Sequence, residues 1–199
     1  MPIDYTRIDA EIAGLDEERA IAVLSGLLPG LWRNDYEDDV AEANPQLIDI
    51  GSFRVIFDLT SMGCADPDIQ EDRVIAIFGR SCPPVAARDA GRMRGFLGPT
   101  REAFGEGYDK GHFIAHSMGG DGLDSLNWFR QERRLNRGRS EEGRVYRRLE
   151  RLCAARPGTF LFSRPLYHTP SARPDLLEFG VLHDGRLEVC RFDNRRADG

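Results

Sequence analysis

The chain has 199 residues, enough for one domain with its own core or for one domain with a small extension. Apolar residues make up 41% and charged residues 30%, ordinary values for a globular protein, and no apolar run is long enough to span a bilayer, so membrane insertion is not expected. The net charge of −6 is unevenly placed: residues 1–50 hold twelve acids against three arginines, a net of −9, and residues 51–199 hold twenty-one acids against twenty-four bases, a net of +3.

The opening stretch MPIDYTRIDAEIAG is acidic and has no apolar centre. It does not read as a signal peptide, so the chain is expected in the cytoplasm as made, and export would need a dedicated secretion apparatus. LDEERAIAVLSGLLPGL predicts an amphipathic helix with Asp16 as N-cap, acids in its first turn, and Pro29-Gly30 as its stop. DYEDDVAEANP predicts a second short helix ended by Pro45. Together they form an acidic helical segment over residues 1–50, set apart from a larger domain over 51–199 by a change of charge and not by a linker.

FRVIFDLT (53–60) and RVIAIFGR (73–80) are short β-branched and aromatic runs bounded by turn residues, and both predict strands. MGCADPDIQED between them predicts a loop, and PPVAARDAGRMRGFLGP a helix entered through proline. GHFIAHS, with glycines on both sides, predicts an extended segment. SEEGRVYRRLERLCAARPG predicts a helix capped by Ser140 and stopped by Pro157-Gly158. TFLFSRPLY, LLEFGVL and RLEVCRF predict strands, the last two joined by the turn His183-Asp184-Gly185. Runs of strands with helices set apart argue for an α+β fold.

The four cysteines, Cys64, Cys82, Cys153 and Cys190, are far apart and form no C-x-x-C, which disfavours a zinc ribbon or redox motif and favours free thiols. Residues 127–151 carry nine arginines and four glutamates. Such a stripe fits either a phosphate-rich partner or a solvated helix laced with ion pairs. The acidic first fifty residues either fold back over it or form a separate solvated face.

Lys110, the only lysine beside twenty-six arginines, sits two residues before His112 in YDKGHFIAHSMGGDG. His112 and His116 are four apart, but no Glu lies between them as in H-E-x-x-H and the glycines oppose a helix, so a zinc pair is disfavoured. A neutral imidazole with a pKa near ~6.5 suits removal of a proton from water at neutral pH. Asp109 or a backbone carbonyl would fix its tautomer. Asn127, Gln131 and Asn136 follow as N-x3-Q-x4-N-x-G; singly each reads as a turn or cap residue.

Taken in order, Asp109-Lys110-Gly111-His112, Gly119-Gly120, Asn127 to Gln131, LNRG and YRRLE (146–150) resemble the DNA/RNA non-specific endonucleases, the ββα-metal nuclease group with a D-R-G-H motif, and most of all their compact bacterial toxin domains. The resemblance covers about residues 105–151. It implies a ββα-metal core with an antiparallel sheet, here with the N-terminal helical segment before it and a C-terminal β-hairpin after it. It also implies Mg2+-dependent hydrolysis of DNA or RNA, with Mn2+ as another usable cation.

His112 is then the general base, Asn136 the metal ligand, and Asn127 with a glutamate the holders of metal-bound water. Lys110 replaces the family's usual arginine as a phosphate contact and lacks its bidentate fork. Glu150 matches the motif, but RSEEGRV lengthens the segment before it, so Glu141 or Glu142 can stand in its place. Arg80 and Arg101 are candidates for an assisting arginine. Similarity to toxin domains implies an antibacterial effector with a cognate immunity protein as partner. The alternative is an inactive nucleic-acid- or protein-binding module of the same fold.

Overall fold

The computed structural model describes residues 3–60, 71–84, 105–122 and 124–195. Most of the predicted 62–72 loop and of the predicted 83–99 helix fall outside these residues, as do Cys64 and Arg101. α1 (Tyr5–Ile12), which the sequence did not announce, begins where Asp4 accepts from the Thr6 and Arg7 amides at 3.1 Å. α2 (Glu17–Asp39) starts as expected on Asp16, which accepts from the Arg19 amide at 2.9 Å.

α2 does not stop at Pro29-Gly30 but runs on to Asp39, and the separate second helix does not exist: its first five residues, 35–39, are the end of this 23-residue helix. Proline in a helix interior costs about 3 kcal/mol. Leu24, Leu28, Trp32 and Tyr36, four residues apart, form a buried stripe along this helix. Burying each such side chain contributes about 1.5–3 kcal/mol, so the stripe outweighs the lost hydrogen bond.

Six antiparallel strands form the main sheet in the order β1-β2-β3-β6-β7-β8. They are β1 (Pro45–Ile50), β2 (Phe53–Asp58), β3 (Arg73–Arg80), β6 (Phe160–Leu166), β7 (Leu176–His183) and β8 (Arg186–Asp193). β1 was not expected. It pairs with β2, so the charge step at residue 50 falls inside a hairpin. The β7–β8 turn is as expected: Asp184 and Gly185 both have positive φ, 50° and 74°, which matches the twist of the strands. A separate two-stranded sheet, β4 (Tyr108–His112) with β5 (Trp128–Glu132), leads into α3 (Arg133–Asn136) and α4 (Glu141–Ala155). The architecture is α+β with antiparallel sheets.

Strand alternation gives the main sheet two apolar faces. Ile56, Ile75, Phe78, Phe160 and Phe162 pack with α1 and α2. Val55, Ile77, Leu161, Phe179 and Val181 pack with α4 and with Phe113 and Phe129 of the small sheet. The acidic helices and the arginine-rich helix therefore lie on opposite faces of one sheet, and the acidic segment does not fold back over the basic stripe.

Candidate functional site

β4 and β5 pair with Lys110 opposite Arg130 and His112 opposite Trp128. Side chains opposed across a ladder share a face. One face of this small sheet therefore carries Tyr108, Lys110 and His112 together with Trp128, Arg130 and Glu132. The His112 and Trp128 rings lie 4.0 Å apart between centroids, tilted by 42°. The indole is itself fixed, since its Nε1 donates to the Gly122 carbonyl at 3.1 Å.

The other face is structural. Asp109, only 7% exposed, accepts from Arg133 Nε at 3.1 Å, Asn136 Nδ2 at 3.1 Å, and Arg137 Nε and Nη2 at 2.7 and 2.9 Å. Burial works against its charge, but these three donors outweigh it and hold the carboxyl below its ordinary range. Asp109 points away from His112 and is fully engaged, so it does not fix the imidazole tautomer. It ties α3 to β4 instead. Gln131 lies over Gly111, where an added Cβ would sit 2.4 Å from the Gln131 Cβ, so glycine is required there. Behind it the Tyr146 hydroxyl of α4 donates to the His112 carbonyl at 3.4 Å.

Asn127 is completely buried and also structural. Its Oδ1 accepts from the Ile114 amide, and its Nδ2 donates to the Ile114 and Asp121 carbonyls, all at 2.9 Å. It closes the loop that leaves β4, through a short 3-10 turn at His116–Met118, and presents no group to a metal-bound water. Gly119-Gly120 serves the same loop: Gly119 has φ 92°, and an added Cβ on Gly120 would lie 2.0 Å from the Ile114 carbonyl oxygen. The extended segment expected over 111–117 is thus a strand only as far as His112.

The three candidate glutamates separate clearly. Glu150 is 7% exposed, and burial pushes its carboxyl up despite Arg147, which donates at 2.7 Å. Glu142 accepts from the Asp193 amide at 3.2 Å. Glu141 is exposed in the first turn of α4. That turn packs directly on α3: an added Cβ on Gly143 would lie 2.7 Å from the Arg134 carbonyl oxygen. Arg80 is committed to Glu18 at 2.7 and 2.6 Å, on the α2 side of the sheet.

Two residues that the sequence left unremarked matter here. Trp128 was hidden inside NWF, with no signal to mark its contact with His112. Asn194, buried just after β8, bonds the Glu132 amide and the Arg130 carbonyl at 2.8 Å and so fastens β5 to the main sheet.

Among the described residues no three His, Cys, Asp or Glu side chains gather as a metal-binding group. Asn136 gives its Nδ2 to Asp109, which leaves its amide oxygen as a hard, neutral ligand beside the hairpin. Mg2+ keeps several waters and accepts such a sparse site when substrate phosphate completes it. Among the described residues no helix is long and apolar enough to cross a membrane. No protein-family model and no curated protein matches the chain.

Proposed function

We propose that the protein is a Mg2+-dependent endonuclease that hydrolyses DNA or RNA without sequence preference, of the ββα-metal type, and acts as a toxin-like effector. The observation that carries this reading is the shared face of His112, Lys110 and Arg130 on the β4–β5 hairpin; Asn136 follows in α3 and is tied to Asp109 on the other face. A histidine at neutral pH takes the proton of the attacking water. Lys110 and Arg130 grip non-bridging phosphate oxygens, contacts that carry no base information. Asn136 would hold the magnesium ion; of the three glutamates, Glu150 is engaged by Arg147 and Glu142 by the Asp193 amide, which leaves Glu141 as the candidate to hold its waters. The ion, when bound, would relieve charge on the phosphoryl and leaving oxygens.

The test is incubation of purified protein with plasmid and with RNA, in Mg2+ or EDTA, beside His112→Ala. General-base catalysis contributes about 10²–10⁴-fold, and the variant should lose a factor in that range while melting as wild type does. Equal cleavage by the two proteins rejects the mechanism.

One set of observations favours a second reading. Asp109 is spent on α3, Asn127 on the loop backbone and Glu150 on Arg147, which is how a non-catalytic nucleic-acid-binding module would use them. Retarded migration of DNA or RNA with no cleavage in Mg2+ or Mn2+ would select that module.

A further inference from the structure

We propose that Trp128 is a positioning residue for His112, setting the orientation of the imidazole. This rests on the reading of His112 as the general base. His112 and Trp128 are the last opposed pair of the β4–β5 ladder, and their rings meet at 4.0 Å between centroids. Trp128 is only 8% exposed, and its Nε1 is bonded to the Gly122 carbonyl, so the indole is a fixed wall. Asp109, the residue expected to do this work, faces the other way and is saturated by Arg133, Asn136 and Arg137.

The electron-rich indole face also favours the protonated ring. Among the described residues, the charged and titratable groups placed near the pair include Lys110, Arg130, Glu132 and Tyr108 on the same face, Tyr146 from α4 with Glu150 next to it, and His116 four residues on.

The experiment has two independent readouts. The first is tryptophan emission against pH in the full protein, without metal or nucleic acid. An imidazolium in contact with an indole quenches it. The only other tryptophan, Trp32, packs among Phe78 and Phe162. Wild type should dim in one step as pH falls through the histidine range, and the step should vanish in His112→Ala and in Trp128→Phe. Emission that ignores pH, or a step that survives His112→Ala, overturns the contact and the proposal with it.

The second readout is cleavage. Misplacing a catalytic group by about 1 Å costs on the order of 10²-fold, so Trp128→Leu should lower kcat by about ten- to a hundredfold with KM within about twofold. Trp128→Phe keeps a ring against the imidazole and should recover most of that loss, with its thermal melt confirming the fold. Trp128→Leu with wild-type kcat overturns the positioning role and leaves the nuclease reading intact. A wild-type protein that shows the emission step yet cleaves nothing fails the nuclease reading, and the positioning proposal falls with it.

Discussion

The two faces of the main sheet use charge in opposite ways. On the α1–α2 face, ionic groups are buried and paired. Arg164 bridges Glu178, at 2.9 Å, and Asp35; Arg191 reaches the same Glu178 at 2.7 Å, and the Tyr5 hydroxyl donates to it at 2.8 Å. On the α4 face, Asp109 is the one buried charge that binds several arginines. Arg130, Arg134, Arg139, Arg144 and Arg151 form no ion pair among the described residues. One face spends its charges on holding the fold, and the other leaves these five arginines without an ion pair among the described residues. A stripe of arginines is therefore informative only after the engaged ones are subtracted.

The largest test of this division removes residues 1–44. α1 and α2 bury Ile8, Ile12, Ile21, Leu24, Leu28 and Trp32 against the sheet. At about 1.5–3 kcal/mol per large side chain this matches or exceeds the ~5–15 kcal/mol that holds a typical domain together. The truncated chain should show no cooperative thermal melt. A truncation that melts like wild type would show that the α1–α2 face is an accessory and not half of the fold.

A smaller effect separates two carboxylates on the α4 side by the sign of their pH dependence. Asp109 has a lowered pKa in the folded chain, so its stabilisation is complete above the unfolded value near ~3.9 and fades as pH falls through the folded one. Asp109→Asn should cost about 1–3 kcal/mol at pH 7, and that cost should shrink on acidification below about pH 4. Glu150 has a raised pKa because it is buried, so its ionisation destabilises the fold as pH rises from about 4.3 through the folded value. Glu150→Gln should stabilise the protein at pH 7 and not at pH 4. Urea melts at the two pH values decide both, and equal pH dependence in the two variants would show that the Asp109 knot is no stronger than the Glu150–Arg147 pair.

The smallest effect concerns the unengaged arginines. Each phosphate contact contributes about 0.9 to the slope of log affinity against log salt on duplex DNA. In a His112→Ala background with EDTA, Arg139→Ala or Arg144→Ala should each flatten that slope by about this amount. Arg191→Ala, whose guanidinium is held by Glu178 on the far side of the sheet, should leave it unchanged. Equal effects would erase the distinction between the faces.

Local signals were legible in the sequence wherever one residue does one job. Asp16 and Ser140 cap their helices as expected, the latter accepting from the Gly143 amide at 3.0 Å, and five of the six strands of the main sheet lie where β-branched runs put them. Signals failed where a long-range contact overrules a short-range rule. Pro29 marks a helix end in isolation, and only the sheet beneath Leu28 and Trp32 shows otherwise. β1 carries no strand signal in the sequence because one side of an edge strand needs no apolar alternation; Leu47 is 51% exposed. At the candidate site, the motif spacing singles out a segment and does not show the roles. Asp109, Asn127 and Gln131 are amides and a carboxylate at catalytic spacing, and the structure uses all three to hold the hairpin. Nothing in a linear spacing tells which face of a strand a side chain takes.

The hairpin is a sheet of only two strands, five residues each. Two strands alone are marginal in water, so its order is borrowed from Asn194, from the Phe113–Phe129 stack, 4.4 Å between centroids, and from α4 behind it. Local opening of β4–β5 therefore needs less energy than unfolding of the six-stranded sheet. On warming, amide exchange should quicken first at Gly111 and Phe129, whose amides belong to the hydrogen-bonded pairs of this ladder, and the candidate site should come apart while the rest of the chain is still native. Heat would loosen the hairpin before the main sheet, and cooling would re-form it without refolding the rest of the chain.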